Sequence, residues 1–227
     1  MSGATVWPEQ PRVADLLEQL GDISPRRVLL QPPPGTATEA DLLRQIDRKE
    51  SLCELIDATL VEKPVGAPEA GLAAWLGWLL GSFVYPNDLG LLFGADAPFR
   101  LMAGLVRLPD LTFIRREKLP GGRLPTEAVP EIAPDLAIEI LSESNTAGEM
   151  LRKRTEYFLA GTTLVWIVDP RSRSVTVYTE PEVSERLKEG DTLDGGTVLP
   201  GLLIEVTRIF EKLPPATRVR RSRKKKQ

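Results

Sequence analysis

Apolar and polar positions along the chain change period several times, and each change marks an element. Residues 8–21, "PEQPRVADLLEQLG", carry apolar residues at helical spacing, with Gly21 as a stop. The "QPPPG" run that follows forces extended backbone. Thr38 before an acid-rich stretch predicts a second short helix over 39–49. "LCELIDATLVEK" (52–63) partly alternates and reads as strand or hairpin. "PEAGLAAWLGWLLGSFV" (68–84) is apolar on most sides, as expected of a largely buried helix.

Short strands are expected next, in "GLLFG", "PFRLM" and "VRLPDLTFI", punctuated by Gly, Asp and Pro. A Gly- and Pro-rich loop spans 118–133, and an apolar strand spans 134–141. Thr146 and Glu149 have the spacing of a capping box, which opens a helix running to about 160 and stopped by Gly161. "TTLVWIVDP" and "RSRSVTVYTE" read as two strands. "GGTVLPGLLIEV" reads as a last strand pair before a short helix near 206–212. This order of elements predicts an α/β fold with a mixed central sheet flanked by helices. Residues 1–50 read as an N-terminal helical and Pro-rich extension, 51–213 as the main domain, and 214–227 as a basic, disordered tail.

Period two also sorts the charges in "PDLAIEILSES". Asp135, Ala137, Glu139 and Leu141 share one face of the strand, and Leu136, Ile138 and Ile140 the other. The apolar face can pack on a helix, which leaves both acids together on the opposite face. Four residues of strand span about 13 Å, too far for Asp135 and Glu139 to share one ion easily. A residue on a neighbouring strand, about 4.8 Å away, suits Glu139 better. Asp110 in "RLPDLTFI" is such a residue. Close carboxylates repel, and a divalent cation with oxygen ligands, Mg²⁺ or Mn²⁺, relieves the repulsion. Asp110 and Glu139 are therefore the candidate metal pair. The competing reading makes Asp110 and Asp135 strand-boundary residues after proline and leaves Glu139 solvated on an edge strand. Asp135 has three readings: shaping the site, holding a second metal, or capping the start of the strand.

Composition narrows the chemistry further. The 227 residues contain no histidine and one cysteine, Cys53. That excludes histidine bases, Ser-His-Asp triads, His-ligated zinc and an internal disulfide. A single thiol suits a reducing cytoplasm. No apolar stretch reaches the length of a membrane span, and no basic-then-apolar leader opens the chain, so neither membrane insertion nor secretion is expected. The net charge of −3 hides an asymmetry: the last thirteen residues hold Arg218, Arg220, Arg221, Arg223, Lys224, Lys225 and Lys226 and no acid. The rest of the chain has 22 basic and 32 acidic residues, a formal charge of −10. Such a tail either contacts nucleic-acid phosphates by counterion release or only solubilises the chain.

Three segments in order, "VRLPDLTFIRREKLP", "PDLAIEILSES" and "EMLRKRTEYFLAGTTLVWIVDP", resemble the Uma-two family of restriction-endonuclease-like proteins, within the PD-(D/E)XK nuclease superfamily. "CELIDATLVEK" and "GADAPFRLMAGLVRLPD" before them, and "VTVYTE" and "LPGLLIEV" after them, fit in sequence, so the resemblance covers about 50–212. It implies a restriction-endonuclease-like core that cuts DNA with a divalent metal. It also implies site residues: Asp110 and Glu139 as metal ligands, and Lys153, on the helix after the strand, in place of the lysine that most of the superfamily carries two residues beyond the glutamate, where this chain has Leu141. Tyr157 follows Lys153 on the same helical face. Glu69 matches an acid that the superfamily often draws from the first helix. On its residues alone, Lys153 reads as a solvated helix lysine and Glu69 as an acid favoured by a helix N-terminus.

Two departures from the family pattern stand out: Asp57-Ala58 where Asp-Gly is frequent, and Ser142-Glu143-Ser144 where Ser-Pro-Ser is usual. Neither removes an implied ligand. The expected function is metal-dependent hydrolysis of DNA phosphodiester bonds, with a homodimer suited to cutting both strands. The alternative is a catalytically silent nuclease fold used for DNA binding or assembly.

Overall fold

The computed structural model describes residues 12–48, 51–64 and 66–214. Two short helices, α1 (Val13–Gln19) and α2 (Glu39–Arg48), precede a hairpin of β1 (Cys53–Ile56) and β2 (Thr59–Glu62). The hairpin turn holds Asp57 and Ala58 at φ 48° and 54°, the left-handed geometry that two-residue hairpin loops need. Helix α3 (Ala67–Val84) follows, then β3 (Gly90–Gly94), β4 (Phe99–Met102), β5 (Leu105–Arg107) and β6 (Leu111–Arg115). The chain continues through β7 (Leu136–Ile140), α4 (Ala147–Ala160), β8 (Leu164–Asp169), β9 (Ser174–Tyr178), β10 (Ser184–Lys188), β11 (Thr192–Asp194), β12 (Leu203–Glu205) and α5 (Val206–Phe210).

The strands form a six-stranded sheet in the order β10-β9-β8-β7-β6-β3, a four-stranded sheet in the order β2-β1-β5-β4, and the pair β11-β12. Among the described strands of this sheet, only β7 and β8 run parallel, because α4 connects them; their neighbours pair antiparallel. The fold is thus α/β with a mixed central sheet flanked by helices, as the order of elements predicts.

Two segments differ from expectation. "VRLPDLTFI" is two strands, not one: β5 belongs to the small sheet, β6 to the large one, and Leu108-Pro109-Asp110 crosses between them. Proline cannot donate to a ladder, so pairing stops there and resumes in another sheet. "GGTVLPGLLIEV" holds one strand, β12, whose partner β11 lies upstream of it. β10 was not expected. Its "SERLK" sequence carries one apolar residue, Leu187, which packs against the main core, and it lies at the sheet edge, where one side needs no cover.

The period-two reading of β7 holds. Leu136, Ile138 and Ile140 join Trp166, Val168 and Val175 in a core packed against α3 and α5. The opposite face carries Ala137 and Glu139 and is covered by α4, through Tyr157. The described part of the N-terminal extension is tied into this arrangement: Leu20, Ile23 and Leu42 are fully buried. At Gly21, with φ +86°, an added Cβ would lie 2.5 Å from the backbone nitrogen of Glu149, so the extension touches the first turn of α4 backbone to backbone. Among the described residues, no helix is long and apolar enough to cross a membrane.

Candidate active site

Asp110 sits at the crossing between the two sheets, and that position fixes its side chain. Its backbone N–H donates to the carbonyl of Ile138, 3.1 Å. Its Oδ2 accepts from the Ile140 N–H at 2.7 Å. The segment entering β6 is thereby stitched to Ile138 and to Ile140, the last residue of β7, on either side of Glu139. Asp110 Oδ1 faces the ammonium of Lys63 at 2.9 Å. Lys63 also donates to the carbonyls of Leu108 (2.6 Å) and Ala95 (3.0 Å), so all three of its N–H groups have acceptors.

Glu139 is buried on the α4 side of β7. Lys153 Nζ lies 3.2 and 3.1 Å from its two oxygens, and the Tyr157 hydroxyl donates to Oε1 at 2.5 Å. Lys153 and Tyr157 are four residues apart on α4 and reach the same carboxylate, as one helical face allows. Lys153 Nζ also meets Glu54 Oε1, from β1, at 3.1 Å. Glu54 accepts further from the Leu108 N–H (3.2 Å) and from Arg107 (2.7 Å), and Arg107 bridges on to Glu156 of α4. The centre thus draws acids from three strand segments and a lysine from the covering helix. Its middle is closed to water: Lys153 and Glu139 side chains are 4% and 5% exposed, and Glu54 1%.

Sharing one ammonium between two carboxylates sets their proton affinities apart. Burial alone would raise Glu54, but Lys153, Arg107 and Lys63 outweigh it and hold Glu54 well below the usual carboxylate range. Burial pushes Glu139 above that range. Lys153 pulls it back, while Asp110 and Glu54 add to the rise. Burial would lower the Lys153 ammonium, yet Glu139 and Glu54 outweigh it and keep Lys153 cationic. Burial and the adjacent Glu139 raise Tyr157 well above its ordinary value, so the phenol stays protonated and donates.

The donor set suits a hard divalent cation. Asp110 and Glu139 offer only oxygen, and their mutual repulsion is what such an ion removes. A carboxylate has about four lone-pair sites. Asp110 uses two of its sites and Glu139 three, which leaves capacity on both. Among the described residues, no group of three or more His, Cys, Asp or Glu side chains is gathered as a metal cluster. A cation here would therefore rest on two carboxylates, with water completing its shell from the side of Asp110, the more exposed of the two at 16%.

The structure separates the remaining candidates. Tyr157 joins the centre. Glu69, in the first turn of α3, borders a cavity of about 50 Å³ beside Asp110 and Lys63. Asp135 lies at the far end of β7, where it accepts from the Arg115 N–H at 2.9 Å and pairs with Lys118 at 3.0 Å. It shares a face with Glu139 but not a site. The seven basic tail residues, Arg218 to Lys226, lie outside the described residues.

Sequence reasoning passed over Glu54, Lys63 and Arg107. Glu54 gave the same signal as Glu139, an acid between apolar residues in a strand: "CELI" beside "AIEI". Arg107, within "LVRLP", carried a similar one. Lys63, at the end of the hairpin, gave none.

Helix α4 is held from outside the sheet. Thr146 caps it by accepting from the Glu149 N–H at 3.0 Å. Glu149 does not close the expected capping box. Its carboxylate is diverted to Arg27 of the N-terminal extension, at 2.6 and 3.0 Å, and to Asn145 at 3.0 Å.

No curated protein matches the chain. A crystal structure titled as that of a putative nuclease belonging to DUF820, from Anabaena variabilis ATCC 29413, is similar in fold, with a TM-score of 0.63. It is 20% identical, and the match covers 70% of this chain and 89% of that one. The family model Uma2, described as "Putative restriction endonuclease", matches residues 39–207, well over half of the chain and all of the centre described above. The chain belongs to the Uma2 family.

Proposed function

We propose that the protein is a metal-dependent endonuclease that hydrolyses DNA phosphodiester bonds at Asp110, Glu139 and Lys153. One observation carries the reading: Lys153, reaching from α4, places its ammonium 3.1 Å from Glu139, although no lysine follows Glu139 along its own strand. Family membership and the fold of the similar nuclease structure support the reaction class.

Asp110 and Glu139 would hold Mg²⁺ or Mn²⁺, with Glu69 bordering the small cavity on the Asp110 side. When bound, such an ion supplies a water of lowered pKa and polarises the phosphate. The chain's own groups do the rest. The Ile140 N–H and Lys63 fix the two oxygens of Asp110. Tyr157 fixes Glu139. Lys153 swings from Glu139 towards the phosphate and stabilises charge developing on its oxygens. Glu54 anchors that lysine, and Arg107 in turn holds Glu54. Asp135 acts as a structural residue in this reading. Residues 51–213 form the nuclease domain, the extension before it braces α4, and the basic tail adds salt-dependent affinity for DNA phosphates. The single buried thiol suits a cytoplasmic setting, and two-fold related sites in a homodimer would cut both strands.

A second reading, a silent DNA-binding module, is favoured by the charge pairing of the centre: Lys63 already neutralises Asp110, and Lys153 is shared by two acids. Supercoiled plasmid incubated with Mg²⁺ or Mn²⁺ separates the two. Nicking that EDTA abolishes supports the nuclease. DNA binding without nicking by well-folded protein supports the silent module.

A further inference from the structure

Most arginines packed around α4 are matched by carboxylates. Arg27, Arg107 and Arg152 each meet a carboxylate within 2.8 Å. Arg154, the residue after Lys153, does not. Its side chain is only 13% exposed, and its guanidinium lies over the Tyr178 ring at 4.4 Å. Among the described residues, its one ion pair is with Glu182 at 3.4 Å, and the Glu182 side chain is 81% exposed. Arg154 Nε is buried with no hydrogen-bond partner. A guanidinium cannot shed its charge, so holding it largely out of water with only one long, solvent-exposed ion pair is costly unless a further anion faces it.

The surroundings offer room for one. Arg154 and Met150 line a cavity of about 480 Å³ between α4 and the exposed end of the large sheet. The floor follows the strand register outward from Glu139: Ile167 beside Glu139, Thr176 beside Ile167, and Arg186 beside Thr176. These residues lie on the same sheet face as Glu139, and Arg186 is three strand spacings away, about 14 Å. Arg186 is held in place by neutral oxygens, with Nε and Nη2 each 3.1 Å from Ser174 and Nη2 2.8 Å from Ser172. Its nearest carboxylate, Asp169, is 3.9 Å away. Two planar guanidinium groups in one groove, neither closely paired with a buried acid, match phosphate oxygens in geometry and charge.

We propose that this groove is a strand-binding subsite, in which Arg154 and Arg186 hold a phosphodiester group of the nucleic-acid strand that flanks the bond at Asp110 and Glu139. The place of that strand beside Asp110 and Glu139 rests on the nuclease reading; the contact with the two arginines does not. It gives the sheet beyond Glu139 a function and explains why the Tyr178 ring supports the Arg154 guanidinium beside the cavity.

The test is fluorescence anisotropy of a labelled oligonucleotide, single-stranded and duplex, in EDTA so that no turnover occurs, across a range of salt. Arg154→Ala and Arg186→Ala are each expected to weaken binding roughly tenfold and to lower the salt slope by about one. Arg186 is exposed, so its variant reports without risk to the fold, and the melting temperature controls for Arg154→Ala. Inorganic phosphate at the same concentrations should compete far less well than oligonucleotide; equal competition would identify a free-phosphate site and overturn the strand assignment. Unchanged affinity and salt slope in both variants would also overturn it, even if plasmid cleavage remained dependent on Glu139. Oligonucleotide binding that depends on both arginines, in a protein that never cleaves, would support the subsite and refute the nuclease.

Discussion

Replacing Lys153 by Met keeps the length and bulk of the side chain and removes its charge from between Glu139 and Glu54. Each of the two contacts is 3.1 Å long. At an effective dielectric of about 20, one such contact is worth about 5 kcal/mol before desolvation. Desolvation cancels much of that, and breaking a buried pair by removing one partner costs about 3–5 kcal/mol net. For a chain of this size that corresponds to a fall in Tm of roughly 6–20 °C.

The loss should also depend on pH, with a sign fixed by Glu139. Its pKa in the folded protein is already raised, and removing the ammonium raises it further. A group with a raised folded pKa stabilises fully below its unfolded value and loses that contribution as pH rises through the folded value. The deficit of Lys153→Met against wild type should therefore be largest near pH 8 and shrink towards pH 5, as Glu139 takes up a proton. Urea unfolding of both proteins at several pH values measures this. A deficit below about 1 kcal/mol, or one of equal size at pH 5 and pH 8, would refute the shared-ammonium account.

Three further outcomes follow from the same geometry. Ala58→Gly relieves a left-handed alanine in the β1–β2 turn and should stabilise the protein by about 1 kcal/mol, read as a rise in Tm; a fall would contradict the turn assignment. Gly148→Ala places a Cβ 2.8 Å from the Gly21 carbonyl, so it should push α4 from the extension and lower Tm, and Arg27→Ala should do likewise by about 3–5 kcal/mol; wild-type stability in both would show that the extension does not brace α4. Mg²⁺ at ten times its Kd should stabilise the wild type by about 1.4 kcal/mol, and Glu139→Gln should abolish the shift; an equal shift in that variant would place the ion elsewhere.

What the sequence disclosed depended on how far each residue stood out from its neighbours. Glu139 was legible because an acid between isoleucines in a strand has no cheap explanation. Asp110 was legible as a polar break in an apolar run, but not that the break carries the chain from one sheet into another. Lys153 was legible only through resemblance to a family, since a lysine between two arginines on a helix looks solvated until the sheet beneath it is known. Glu54 repeated the Glu139 pattern and was absorbed into the alternation of a hairpin. Asp135 shares the Glu139 face as period two requires, yet pairs with Lys118 at the strand's other end, because alternation specifies the face and says nothing of position along it. The link from Arg27 to Glu149 spans 122 residues and leaves no local trace. The apparent capping box at Thr146 even pointed the other way.

The central claim is that Asp110, Glu139 and Lys153 form one nuclease centre at the Ile140 end of β7. Single-turnover cleavage of a DNA duplex in Mg²⁺, compared across Asp110→Asn, Glu139→Gln, Lys153→Ala and Asp135→Asn, tests it most directly. The account predicts losses of at least about a hundredfold in the first three, as for removal of groups that stabilise a transition state, and a rate near wild type for Asp135→Asn. Cleavage that survives Glu139→Gln and Lys153→Ala, or that fails only in Asp135→Asn, would contradict it.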